Sequence, residues 1–170
     1  MENEVFFFFF DRDALDAIQS TWLGMQMRDK FWMFPMMETI HFMGLSVMFG
    51  ALLAIDLRVM GVAKFINMKV VMKFIPVALI AFSVNLLTGI AFLCADPHRY
   101  FPNIGFQWKM GLIFVAGLNA LWFWFGEHKE LVQLADGQDA DIRAKVIAFL
   151  SIAIWVGVIV FGRMIPYVEY

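Results

Sequence analysis

Long apolar runs are the main feature of this chain's pattern. Four of them are each close to the ~20 residues that a helix needs to cross a hydrocarbon core; they lie at about 36–60, 70–95, 106–125 and 146–165. Only helices can span lipid in runs of this kind, because they satisfy their own backbone hydrogen bonds. The links between the runs are short, so consecutive spans are expected to be antiparallel neighbours. We therefore predict an all-α membrane protein: an up-down bundle of four transmembrane helices.

The segment before the first run has a different pattern. Apolar residues recur there at three- and four-residue intervals, at Leu15, Ile18, Trp22 and Met25. This period predicts an amphipathic helix over 13–32 that lies in the membrane interface; a docking helix for a partner is the alternative. Five phenylalanines at 6–10 are too few to span a bilayer and are expected at its surface or against a partner subunit. Residues 1–35 thus form a tail and an interfacial helix, and 36–170 form the transmembrane domain.

Composition supports a membrane location. The chain is 62% hydrophobic and only 16% charged, whereas soluble domains are nearer half apolar and a quarter charged. A net charge of −2, without a basic stripe, excludes nucleic acid as an expected partner. The single cysteine, Cys94, excludes an intrachain disulfide. Lysine and arginine are more numerous around the first and third links, which favours a multi-pass protein of the bacterial inner membrane with periplasmic termini.

A glutamate and a histidine lie one turn apart in the first span. Glu38 and His41 share one helix face, and Gly44 follows on the same side. Ionisable groups inside a membrane are costly, so this pair is the first candidate for a functional site. His41 could ligate a metal, with Glu38 as the acceptor that orients its second ring nitrogen and Gly44 leaving room for a porphyrin. Proton transfer is a second interpretation, and a histidine–glutamate bond that locks two helices is a third.

A soft metal site is also possible near His41. Met33 and Met37 precede it at four-residue intervals, and thioether with imidazole suits Cu(I). Pro35 interrupts the series, and methionine is ordinary packing in such a protein. Copper handling is therefore one reading and core packing is the other.

The third span contributes further candidates at the same membrane side. Lys109 could reach Glu38 or a cofactor carboxylate, or could extend to the interface. Trp108 and Asn119 are eleven residues apart and hence nearly aligned along the helix. His98, in the preceding link, is either a second axial ligand or a solvated side chain.

Polar residues also occur elsewhere in the first two spans. Asp56 and Arg58 close the first span; Arg58 is expected to extend to the interface, and Asp56 to have a fixed partner on a neighbouring helix. Asn85, Thr88 and Gly89 share one face of the second span and are expected to make helix contacts. Nothing resembles a nucleophile–base pair or a phosphate loop, so the chain is not expected to be an enzyme on its own.

Several motifs resemble an uncharacterised family of bacterial four-helix membrane proteins. They are F-P-x-x-E-[ST]-I-H-x-x-G from Phe34 to Gly44, a D-L-R-x-x-G close at 56–61, and N-x-x-T-G-x-x-F at 85–92. The plan is distantly similar to the copper-resistance D family and to the bacterial membrane protoporphyrinogen oxidases. The latter resemblance implies b-type haem with His41 and Lys109 as important residues. The histidine late in that family's third span has no counterpart here, and Asn119 stands near its position.

Three functions are compatible with these features. The first is a small membrane subunit that binds haem b through His41, with Glu38, Gly44, Trp108, Lys109 and Asn119 around the cofactor, and that links a periplasmic electron donor to the quinone pool. The second is a non-catalytic anchor or accessory subunit of a larger complex, or a homo-oligomer. The third is copper handling.

Overall fold

The computed structural model describes residues 12–135 and 137–168, and in this part of the chain the fold is all-α. Four helical segments are long and apolar enough to cross a membrane: Met33–Val59, Met68–Ala95, Ile104–Gln133 and Ile142–Tyr167. The predicted four-span membrane bundle is confirmed at this level. The phenylalanines at 6–10 lie outside the described residues.

The N-terminal segment forms two helices instead of the single helix predicted over 13–32. Helix α1 spans Arg12–Gln19 and α2 spans Trp22–Asp29. The break falls at Ser20 and Thr21, whose hydroxyls donate to carbonyls of the last turn of α1. Thr21 then accepts from the Gly24 amide as the N-cap of α2. Hydroxyl groups that compete for backbone partners therefore divide a continuous amphipathic pattern.

The first two spans are α3 (Met33–Val59) and the pair α4 (Met68–Met72) and α5 (Phe74–Ala95). The interruption at Lys73 has a local cause. Pro76 has no N–H, and its ring opposes the carbonyl of the residue four positions earlier. The second span is accordingly broken one turn before the proline.

The third span begins after the short helix α6 (Pro97–Tyr100). It consists of α7 (Ile104–Trp122), a π-helical turn (Phe123–Glu127) and α8 (His128–Gln133). The fourth is α9 (Ile142–Met164), which ends in a 3-10 turn (Ile165–Tyr167). The third span is longer than the predicted 106–125, because helical structure continues through the π-helical turn and α8 to Gln133.

The spans pack in a row more than in a closed ring. Helix α3 packs on α5, α9 packs on α7, and α3 and α9 join the two pairs. Contact between α5 and α7 is slight, although they are consecutive along the chain. Helix α7 therefore has α9 as its one extensive neighbour among the described spans.

Two apolar clusters lie at opposite ends of the bundle. We call the end that holds the start of α3 the His41 end, and the other the Arg58 end. At the Arg58 end a cluster joins α3, α4, α8 and α9 around Val59, Met68 and Ala148. At the His41 end a smaller cluster joins α2 to α3 and α5 around Met27, Ala91 and Ala95.

Candidate functional site

His41 is tied to the second span. Its Nδ1 lies 2.7 Å from Thr88 Oγ1 on α5, and its ring meets the edge of Phe92 with centroids 5.5 Å apart. The residue is half-buried between α3 and α5. Thr88, and not Glu38, is the partner of His41; Glu38 is exposed on α3.

The Thr88 hydroxyl lies within hydrogen-bonding distance of both the His41 ring and the backbone of α5. Thr88 has one hydroxyl hydrogen, and Oγ1 lies within donating distance of the Val84 and Asn85 carbonyls, at 2.8 and 3.1 Å. Oγ1 either donates to this backbone and accepts from His41 Nδ1–H, or donates to an unprotonated Nδ1. The His41 ring also has a hydrogen bond with the backbone of Asn85. Where Nδ1 donates to Thr88, the lone pair of Nε2 is the one that a metal would take.

The space beside Gly44 is filled by the second span. A Cβ on Gly44 would lie 2.6 Å from Asn85 Oδ1 and 3.5 Å from the Ala81 carbonyl oxygen. Gly44 therefore allows α3 and α5 to approach closely, as small residues do between membrane helices. Both polar atoms of the Asn85 side chain are buried there and have no hydrogen-bond partner in the described part of the chain. In this arrangement the residues around Gly44 do not fit a porphyrin, because Asn85 occupies the place where its edge would enter.

The candidates on the third span separate from one another. Lys109 packs against α9, with Nζ 3.4 Å from the Cβ position of Gly162, and is within electrostatic range of His41. Trp108 is 57% exposed and stacks on Phe161. Asn119 donates to the Ile147 carbonyl at 3.3 Å. Of these three, Lys109 is the one with an electrostatic effect on His41.

The end of the first span differs from the prediction in the position of Arg58. Arg58 was expected to extend to the interface, and this is wrong: it is 0% exposed. The segment after α3 folds back over it, and Arg58 Nε donates to the Ile66 carbonyl. Asp56 does have a partner on a neighbouring helix, since its carboxylate bonds to the buried Ser151 hydroxyl of α9.

The other metal candidates lie in ordinary structural contacts. Met33 and Met37 pack on the apolar cluster at the His41 end. His98 Nε2 lies 2.8 Å from Asp16 Oδ1, which joins the link after α5 to α1. Among the described residues no group of three or more His, Cys, Asp or Glu side chains converges on a metal position. Copper and haem binding stay predictions.

Comparisons with protein-family models, with curated proteins and with solved structures found no match.

Sequence reasoning missed Thr88 as the partner of His41, although a signal was present. His41 is eight residues from the start of α3, and Thr88 is seven from the end of α5 at the same end of the bundle. Equal depth on adjacent spans therefore pointed to Thr88. Burial of Arg58 had no such signal, because it depends on how the following link folds.

Proposed function

We propose that this chain is a non-catalytic accessory or anchor subunit of a larger membrane complex. The observation that carries the proposal is the isolation of the third span. Only 11% of its most apolar window is buried inside the chain, against 22–28% for the other three spans. Among the described helices, α7 has one extensive neighbour, and its other sides are apolar.

The uncovered face of α7 is suited to close helix contact. A Cβ on Gly111 or Gly117 would meet nothing within 4 Å. Membrane helices associate through packing of small residues, since lipid gives no hydrophobic drive between them. By contrast, polar side chains such as His41 and Asn119 bond to other spans of the same chain.

Native mass spectrometry after extraction in mild detergent, from membranes where the chain is natively made, tests this proposal. The wild type is expected to be detected as part of a larger assembly. Gly111→Leu or Gly117→Leu is expected to dissociate the chain from that assembly. Gly89→Leu on α5 is the matched control, because Gly89 also has open space around it. A lone monomer for the wild type, or equal assembly for all variants, would refute the proposal.

Haem b-dependent electron transfer is the second candidate, and the half-buried imidazole of His41 within the first span is the observation that favours it. His41 would supply the ligating nitrogen, Thr88 would hold the ring orientation, and Lys109 would contribute positive charge nearby. The bound group would supply the redox step. Asn85 would have to move away from Gly44. A Soret band that His41→Ala removes would support this role; its absence from the purified wild type would end it.

A further inference from the structure

The Arg58 end holds a fully buried guanidinium whose two terminal nitrogens have no hydrogen-bond partner among the described residues. Arg58 Nε donates to the Ile66 carbonyl, but Nη1 and Nη2 have no hydrogen bond among the described residues. A guanidinium presents five donors in a planar fork that matches carboxylate and phosphate oxygens. Burying such a group unpaired is strongly unfavourable. Carboxylate and phosphate oxygens are the partners that this fork fits best.

The carboxylates of α3 and of the third span do not supply this partner. Asp56 is two residues before Arg58 on α3, so it points to a different side of the helix. It bonds instead to Ser151, and its Oδ2 is itself buried without a hydrogen bond. Glu127 is buried at the same end but forms no ion pair with Arg58 in the described chain.

The link at 60–67 covers Arg58, and ion pairs with Asp139 on the protein surface hold the link in place. Lys64 Nζ lies 2.6 Å from Asp139 Oδ2, and Lys145 Nζ lies 3.1 Å from Asp139 Oδ1. Gly61, at φ +89°, turns the chain against the same carboxylate. Asp139 and Lys64 are each 45% exposed, and ion pairs of this kind are weak. An external anion can therefore compete with Asp139 for the two lysines.

We propose that Arg58 is the centre of a phosphate-binding site that the 60–67 link closes, with Asp139 occupying the entrance. A phosphate group would replace Asp139 between Lys64 and Lys145, and the 60–67 link would shift so that the same group pairs with both Nη groups of Arg58. Arg58 is next to the last residue of α3, so it lies at the depth of lipid headgroups. Basic sites between membrane helices at this depth bind anionic headgroups, and inorganic phosphate offers the same oxygens.

The test uses the full-length protein in detergent with two ligand arms. Native mass spectrometry measures retention of added phosphatidylglycerol against phosphatidylcholine, and thermal unfolding is followed during titration with inorganic phosphate. Preference for phosphatidylglycerol identifies a lipid headgroup as the source, and a rise in the unfolding midpoint with phosphate alone identifies the free ion. No response in either arm overturns the proposal.

Two variants and a matched control separate the site from general surface charge. Arg58→Gln is expected to weaken binding about tenfold, since a charge-assisted hydrogen bond is lost. Asp139→Asn is expected to tighten it, because the competing carboxylate is gone. Lys69→Gln removes an exposed charge at the same end and should change little. If Arg58→Gln does not fold, Asp139→Asn decides: unchanged or weaker binding contradicts the site.

Discussion

The docking of the N-terminal helices depends on Gly24, which makes Gly24→Ala a demanding test. A Cβ at this position would lie 2.4 Å from the Gln19 carbonyl oxygen and 2.6 Å from the Cys94 carbonyl oxygen on α5. Both distances are roughly 1 Å short of ordinary contact. Both atoms belong to backbone, so no side-chain rotation relieves the clash. Overpacking of this kind costs about 1–3 kcal/mol.

Alanine stabilises a helix by about 1 kcal/mol relative to glycine, and this gain offsets part of the free-energy cost of the clash. Gly50→Ala is the matched control, because Gly50 is helical and has nothing within 4 Å of its Cβ position. We expect Gly24→Ala to be less stable than Gly50→Ala by about 1–3 kcal/mol in detergent unfolding. Trypsin should also cut faster at Arg28 and Lys30 as α2 leaves α5. Equal stability of the two variants would refute the close approach at Gly24.

Two further predictions concern particular contacts. Interhelical hydrogen bonds in membranes average about 0.6 kcal/mol, so His41→Phe and Thr88→Val should show a coupling of that size in a double-mutant cycle; additive losses would contradict the bond. Hydrogen bonds from Lys64 and Lys145 hold the pKa of Asp139 below its usual 3.8. The ion pairs should therefore persist at neutral pH and be lost as the pH falls through that lowered pKa; carboxyl NMR titration should show the pKa returning toward 3.8 in Lys64→Ala.

The spans were predictable because an apolar run of this length has few alternatives in water or in lipid. Their ends were less so, since caps and breaks depend on single residues. The break of the second span at Lys73 is predictable from the sequence, because Pro76 lacks an N–H and its ring clashes with the preceding turn of the helix. The π-helical turn within the third span has no comparable signal in the sequence.

Arg58 shows why a residue's local position was misleading. An arginine at the end of a membrane helix usually extends its charge into water. Here the next segment returns across the helix end, and α4 supplies Met68 and Val71 to the apolar cluster beside it. That return is set by contacts with α8 and α9 far along the chain. Periodicity within the first span contains no information on those contacts.

Variants of Thr88 separate the structural role of His41 from a ligating one. A histidine that only ties α3 to α5 needs Nδ1 alone, and Thr88→Val should then lower stability and change nothing else. If Nε2 binds a metal, Thr88 also orients the ring and raises its basicity, and loss of such a partner typically weakens metal affinity about 10–100-fold. Thr88→Ser keeps the hydroxyl and should restore both properties. Unchanged metal or haem binding in Thr88→Val, alongside reduced stability, would leave His41 as a tie between helices.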